Sequence, residues 1–84
     1  MKRIELNIAT RRELHDLFEK ELPAPYGRTL DALHDHLCAT QDEIELVFDT
    51  DTLYAALGER YSENFLRMLE DTAAENPKLH IVAE

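Results

Sequence analysis

The spacing of apolar residues changes along the chain, and each change marks an element. Ile4, Leu6 and Ile8 alternate with polar residues, the period of a strand with one buried face. Thr10 and Glu13 then stand as T-x-x-E, the capping box that opens a helix. Leu14, Leu17, Phe18 and Leu22 follow at helical spacing and form one apolar face. Pro23 and Pro25 stop that helix, and Gly27 permits a turn before the next. Leu30, Leu33 and Leu37 make a second helical stripe, and the polar stretch at residues 40–43 reads as a loop. Residues 44–48 are the most strand-like segment in the chain. Asp49 or Thr50 can cap a short helix through Leu57, and Gly58 is suited to end it. Ser62 is expected to cap a long helix carrying Phe65, Leu66, Leu69 and Ala73, which Asn76-Pro77 stops. Leu79, Ile81 and Val82 close the chain as a short strand.

This order, β-α-α-β-α-α-β, predicts an α/β fold. Helical crossovers between strands favour a parallel sheet, right-handed at each crossover. The expectation is a three-stranded parallel sheet with about four helices packed against it, in one domain over residues 1–84. No internal repeat, low-complexity segment or linker interrupts the pattern.

Composition narrows the function. The chain has 84 residues and 9.7 kDa, a size that buries roughly 60–65% of the surface its unfolded form exposes. Its net charge is −9, which argues against nucleic-acid binding and against anionic membranes, since both depend on Lys and Arg. Hydrophobic residues make up 44%, too many for a disordered acidic tail. The single cysteine, Cys38, excludes an internal disulfide and fits a reducing compartment. The longest apolar run, residues 53–57, is too short to span a membrane, and no apolar signal segment follows Met1. A cytoplasmic monomer is the expectation. The charge is also uneven. Residues 1–30 carry six basic and five acidic side chains; residues 31–75 carry two basic and twelve acidic. Such a field attracts a basic partner.

The second helix is the most informative element. Advancing about 100° per residue from Leu30 places Asp31 and Asp35 well away from the direction of Leu33 and Leu37. The two carboxylates stand one turn apart on an outward face. Like charges at this spacing destabilise an isolated helix, and Asp31 also suits the positive end of the helix dipole. Tyr26 and Gly27 precede them, and an aromatic beside a charged face has the composition of an interface anchor. Asp31, His34 and Cys38 are spaced so that all three could touch one metal ion. A zinc site needs supporting groups as well, and neither CxxC nor HExxH occurs, so no metal and no other cofactor is expected.

Enzymatic chemistry finds little support. Ser62 is the only serine, Cys38 lies deep in a helix rather than at a helix N-terminus, and two glycines cannot build a phosphate loop.

The segment Tyr26-Gly27-Arg28-Thr29-Leu30-Asp31-Ala32-Leu33-His34-Asp35 resembles the core motif of the barstar family, small acidic inhibitors of ribonucleases. The family pattern, Tyr-Gly, two variable residues, Leu-Asp-Ala-Leu, an aromatic, then Asp, shares seven residue types with it. Leu22-Pro23 looks like the family's helix end, and residues 63–82 align without gaps to its last helix and strand. Residues 40–62 align only with a short insertion and a deletion. The resemblance implies a three-stranded parallel sheet with helices. It implies that Asp35 is the principal acid, entering the cationic phosphate-binding site of a ribonuclease in a one-to-one complex. Asp31 then matches a second acid, Tyr26 and Gly27 the binding loop, and Asp71 a peripheral acid on the last helix. Thr29, Leu30 and His34 complete the face. Departures are His34 where the family has an aromatic, often Trp, Pro25 where the founding member has a Tyr, and Thr40-Gln41 where it has a Trp.

A second reading stays open, an acidic adaptor domain that binds a basic protein without inhibiting an enzyme. An acyl carrier shares the size and acidity but needs an Asp-Ser-Leu motif, and the only serine here lies in Tyr61-Ser62-Glu63.

Overall fold

The computed structural model describes residues 2–22 and 27–84. The expectations placed on Pro23, Pro25 and Tyr26 lie outside the described residues. The elements run β1 (Lys2–Glu5), α1 (Arg11–Glu21), α2 (Leu30–Ala39), β2 (Ile44–Phe48), α3 (Thr50–Leu57), α4 (Glu59–Glu75) and β3 (Leu79–Ala83). The expected order is therefore present. The sheet is ordered β1-β2-β3 and parallel throughout.

Register explains the two faces of the sheet. Ile4, Leu46 and Ile81 are paired across it and turn toward the core, as do Ile44 and Leu79. One residue along, Arg3, Glu45 and His80 pair on the opposite face, where Arg3 Nη1 stands 3.7 Å from Glu45 Oε1. A slip of one residue would exchange these rows, so burial fixes the pairing. β2 is central and the most buried strand, which matches its nearly continuous apolar run. Phe18 of α1 and Phe65 of α4 meet in the core with ring centroids 6.5 Å apart, and both are fully buried.

Three boundaries differ from the sequence reading or sharpen it. β1 ends at Glu5, although the alternation continues through Leu6 and Ile8, which are buried. The Leu6 amide still donates to the Val47 carbonyl, but the Asn7 amide turns back to Glu5 O at 3.1 Å and breaks the strand. At α3, Asp49 rather than Thr50 is the cap, its carboxylate accepting from the Asp51 amide. Ser62 does not cap α4. That helix starts four residues earlier than such a cap would place it, at Glu59, because Gly58 at φ 82°, ψ 160° ends α3 and begins α4 without a linker. Ser62 is instead fully buried, and its hydroxyl donates to the Leu53 carbonyl at 3.3 Å, tying α4 to α3.

Candidate partner-binding face

The face begins at the entry to α2. Gly27 and Arg28 both adopt left-handed backbone, at φ 77° and 59°. For Arg28 this conformation carries a steric cost. Its guanidinium reaches back across the turn to α1, with Nη2 2.7 Å from Asp16 Oδ1 and Nη1 2.7 Å from Glu19 Oε2. Those carboxylates raise its pKa and tether the turn to α1. Thr29 then caps α2, its hydroxyl accepting from the Ala32 amide at 3.1 Å. Leu33 and Leu37 are fully buried, which fixes the rotation of the helix. Asp31 and Asp35 consequently face solvent, as the helical spacing required, and Leu30 is half-buried beside them.

Opposite α2 lies α4, and the two helices enclose a groove of about 370 Å³. Leu30, Asp31 and His34 line one wall; Asn64, Arg67, Met68 and Asp71 line the other. Asp31 and Asp71, forty residues apart in sequence, thus share one groove. Asp35 does not line it. It lies one turn further along α2, exposed, and close enough to Cys38 to oppose ionisation of that thiol. Among the described residues no cation forms an ion pair with Asp31, Asp35 or Asp71. Tyr26 lies outside the described residues.

Sequence reasoning missed Asn64, Arg67 and Met68. Their spacing with Asp71 is i, i+3, i+4 and i+7, one stripe of α4, but only the packing of α4 on α2 shows that this stripe faces Asp31. It also missed the anchoring of His34. Thr72 is fully buried, and its hydroxyl lies 2.7 Å from both the Met68 carbonyl and His34 Nδ1. A carbonyl can only accept, so the single hydroxyl proton goes to Met68 and His34 Nδ1–H donates to Thr72. Cys38 Sγ lies against the ring, 3.8 Å from Nδ1 and 3.6 Å from Nε2, and Glu75 Oε2 is 3.7 Å from Nε2. Asp31 is not the acid gathered with His34 and Cys38; that acid is Glu75. Burial, then the Glu75 carboxylate, push the Cys38 thiol above its ordinary value.

Behind the face, His15 of α1 is buried and its Nε2 lies 2.8 Å from the Tyr61 hydroxyl. Arg11 lies over the Tyr61 ring, 4.7 Å from its centroid. Burial holds the His15 pKa below 6.5, and Arg28 and Arg11 add to this against Asp16. No helix among the described residues is long and apolar enough to cross a membrane.

Fold and face together define a small parallel α/β domain that presents, from two adjacent helices, carboxylates without an ion-pair partner among the described residues. The family described as barstar, the barnase inhibitor, matches residues 2–84, and the chain belongs to the barstar family. A barnase-inhibitor-like role in general follows from that membership, in a family of inhibitors rather than enzymes. No curated protein matches the chain.

Proposed function

We propose that this chain is a proteinaceous inhibitor of a basic ribonuclease, bound one-to-one through α2, the turn before it and the adjoining stripe of α4. Asp35 is the principal acid, which occupies the enzyme's phosphate site and meets its cationic side chains. Asp31 and Asp71 add charge from the groove, and Tyr26, Gly27, Thr29, Leu30 and His34 form the surrounding contact. The observation that carries this reading is that Asp31, Asp35 and Asp71 are exposed without an ion-pair partner among the described residues. A carboxylate left unpaired on the surface has its charge available to a partner, and the net charge of −9 steers a basic enzyme toward it. The free chain is a cytoplasmic monomer, and the target is a secreted ribonuclease or a delivered toxin against which the chain confers immunity. The loss of three family aromatics from the rim argues for a ribonuclease with a rim unlike that of barnase, because aromatic anchors dominate interface affinity.

Capture tests this directly. The immobilised chain is exposed at low salt to lysate and secreted fractions of its own organism, and eluted proteins are assayed for RNA cleavage. A basic protein whose cleavage is blocked at one equivalent is the expected result. A captured basic partner without nuclease activity would replace the inhibitor reading by the adaptor one.

A further inference from the structure

The acidic face contains one cation. Residues 31–75 carry twelve acids against two arginines, Arg60 and Arg67. Arg67 is exposed and lines the groove between α2 and α4, whose walls also carry Asp31 and Asp71. Glu63, Glu70 and Asp71 stand at i−4, i+3 and i+4 from it, within reach along the helix. Among the described residues none of them forms an ion pair with it. Given that this groove belongs to the inhibitory face, we infer that Arg67 sets specificity. It pairs with an aspartate or glutamate on the rim of the bound enzyme, placed among the basic residues that meet Asp31 and Asp71.

Charge complementarity commits the groove to such a partner. A uniformly basic rim satisfies Asp31 and Asp71 but is repelled by Arg67. A lone carboxylate satisfies Arg67 but is repelled by both acids. A carboxylate flanked by basic side chains satisfies all three.

Desolvation turns this match into selection. Leu30 is half-buried in one wall and Met68 is packed against the core in the other, so the groove has an apolar lining. A partner that closes over its volume of about 370 Å³ takes the guanidinium out of water. A buried charge without a counter-charge is strongly unfavourable. A rim lacking the acid is therefore penalised at Arg67, and rejection of wrong partners by such uncompensated charges is a general source of specificity. A rim bearing the acid gains a forked pair, since guanidinium can donate two parallel hydrogen bonds to one carboxylate. Because Arg67 has no ion-pair partner among the described residues of the free chain, it breaks no ion pair with them to make this one.

The test is surface-plasmon kinetics of the full chain with the basic protein that the immobilised chain captures. Attraction between net charges alone leads to the opposite result. Arg67→Gln takes the net charge of −9 one unit further, which on that ground speeds association and leaves dissociation no faster. Pairing at Arg67 instead gives faster association together with dissociation at least about 10-fold faster, because the partner's carboxylate is left desolvated and unpaired. Arg67→Lys keeps the charge without the fork and falls between the two. Circular dichroism confirms that both variants are folded. A water-soluble carbodiimide, which joins an amine to a carboxylate, is expected to crosslink Arg67→Lys through position 67 to an Asp or Glu of the partner, located by peptide mass mapping.

An Arg67→Gln chain that dissociates no faster than the parent would overturn the pairing, as would the lack of any crosslink from position 67 to the partner. Asp35→Ala measured alongside separates this from the inhibitor reading. Binding lost in Asp35→Ala but not weakened in Arg67→Gln removes the role of Arg67 alone. A partner without nuclease activity that responds to Arg67→Gln as expected removes the inhibitor reading alone. Capture of no basic protein removes both.

Discussion

The side-chain amide of Asn76 donates to the Leu37 carbonyl at 2.8 Å, joining the end of α4 to the end of α2. A second, longer bond reaches the Thr40 carbonyl at 3.4 Å, and Asn76 Oδ1 accepts from the Lys78 amide at 3.1 Å. One buried residue thereby satisfies carbonyls that the last turn of α2 leaves without intrahelical partners. Asn76→Ala strands the Leu37 carbonyl in a buried site, which costs about 1–3 kcal/mol. Asn76→Asp keeps the acceptor for Lys78 but has no amide hydrogens to give, so it is expected to be no better than alanine. Urea unfolding measures both. A midpoint unchanged in Asn76→Ala would show that the bond to Leu37 contributes nothing.

Gly58 gives a cleaner case of backbone strain. Its φ of 82° with ψ of 160° lies in a region that only glycine occupies readily. A Cβ placed there would meet nothing within 4 Å, so no clash contributes. Gly58→Ala is expected to destabilise by about 1–3 kcal/mol through backbone conformation alone. The denaturant midpoint should fall while the slope stays constant, since no packing is lost. A midpoint equal to that of the parent would mean that the junction between α3 and α4 relaxes without cost.

These two residues also show what could be read from the chain. Periodicity located every element, because apolar spacing depends only on which faces are buried. Asn76 was legible as a stop to α4, but not as a clamp on α2, because its partner is 39 residues away. Ser62 misled for the opposite reason. Serine is a good cap by type, yet Gly58 makes the turn earlier and leaves Ser62 facing Leu53. The outward direction of Asp31 and Asp35 followed from spacing within one helix. That Asp31 shares a groove with Asp71 and Arg67 did not, since it depends on how α4 lies against α2. The missed core residues His15 and Thr72 are polar, and hydropathy patterns pass over such positions.

His15 predicts how stability responds to acid. Its folded pKa lies below 6.5, chiefly from burial, while the unfolded chain has the ordinary value. Well above pH 6.5 the ring is neutral in both states. As pH falls through 6.5 the unfolded chain takes up a proton that the folded chain resists, so stability is lost. The loss continues down to the folded pKa. Among the described residues the ring's surroundings include the Tyr61 hydroxyl and the charges of Arg28, Arg11 and Asp16. In His15→Gln the fall in stability between pH 7.5 and 5.5 should be shallower than in the parent. An NMR titration placing His15 at or above 6.5 would refute the assignment.

The carboxylates of the face should differ in weight. If Asp35 is desolvated against several cations, Asp35→Ala weakens binding to the captured ribonuclease by about 2–5 kcal/mol, the range for truncated charge pairs at interfaces, barnase–barstar being the source example. Asp71 sits on α4 at the edge of the groove, and an acid at a rim contributes about 0–1 kcal/mol. Asp31 should fall between them. Glu45→Ala, on β2 and already paired with Arg3, serves as the control and should leave affinity unchanged. Kinetics separate the roles further. Removing a rim acid acts mainly on the association rate and its salt dependence, whereas removing Asp35 acts mainly on dissociation. Because Asp31 and Asp35 are exposed in the free chain, neither alanine variant should unfold it, Asp31→Ala losing no more than about 0.3–1 kcal/mol, the contribution of an acid in the first turn of a helix. Surface-plasmon kinetics at two salt concentrations resolve all four variants. An Asp35→Ala chain that dissociates no faster than the parent would remove Asp35 from the centre of the interface and shift that role to Asp31 and the groove.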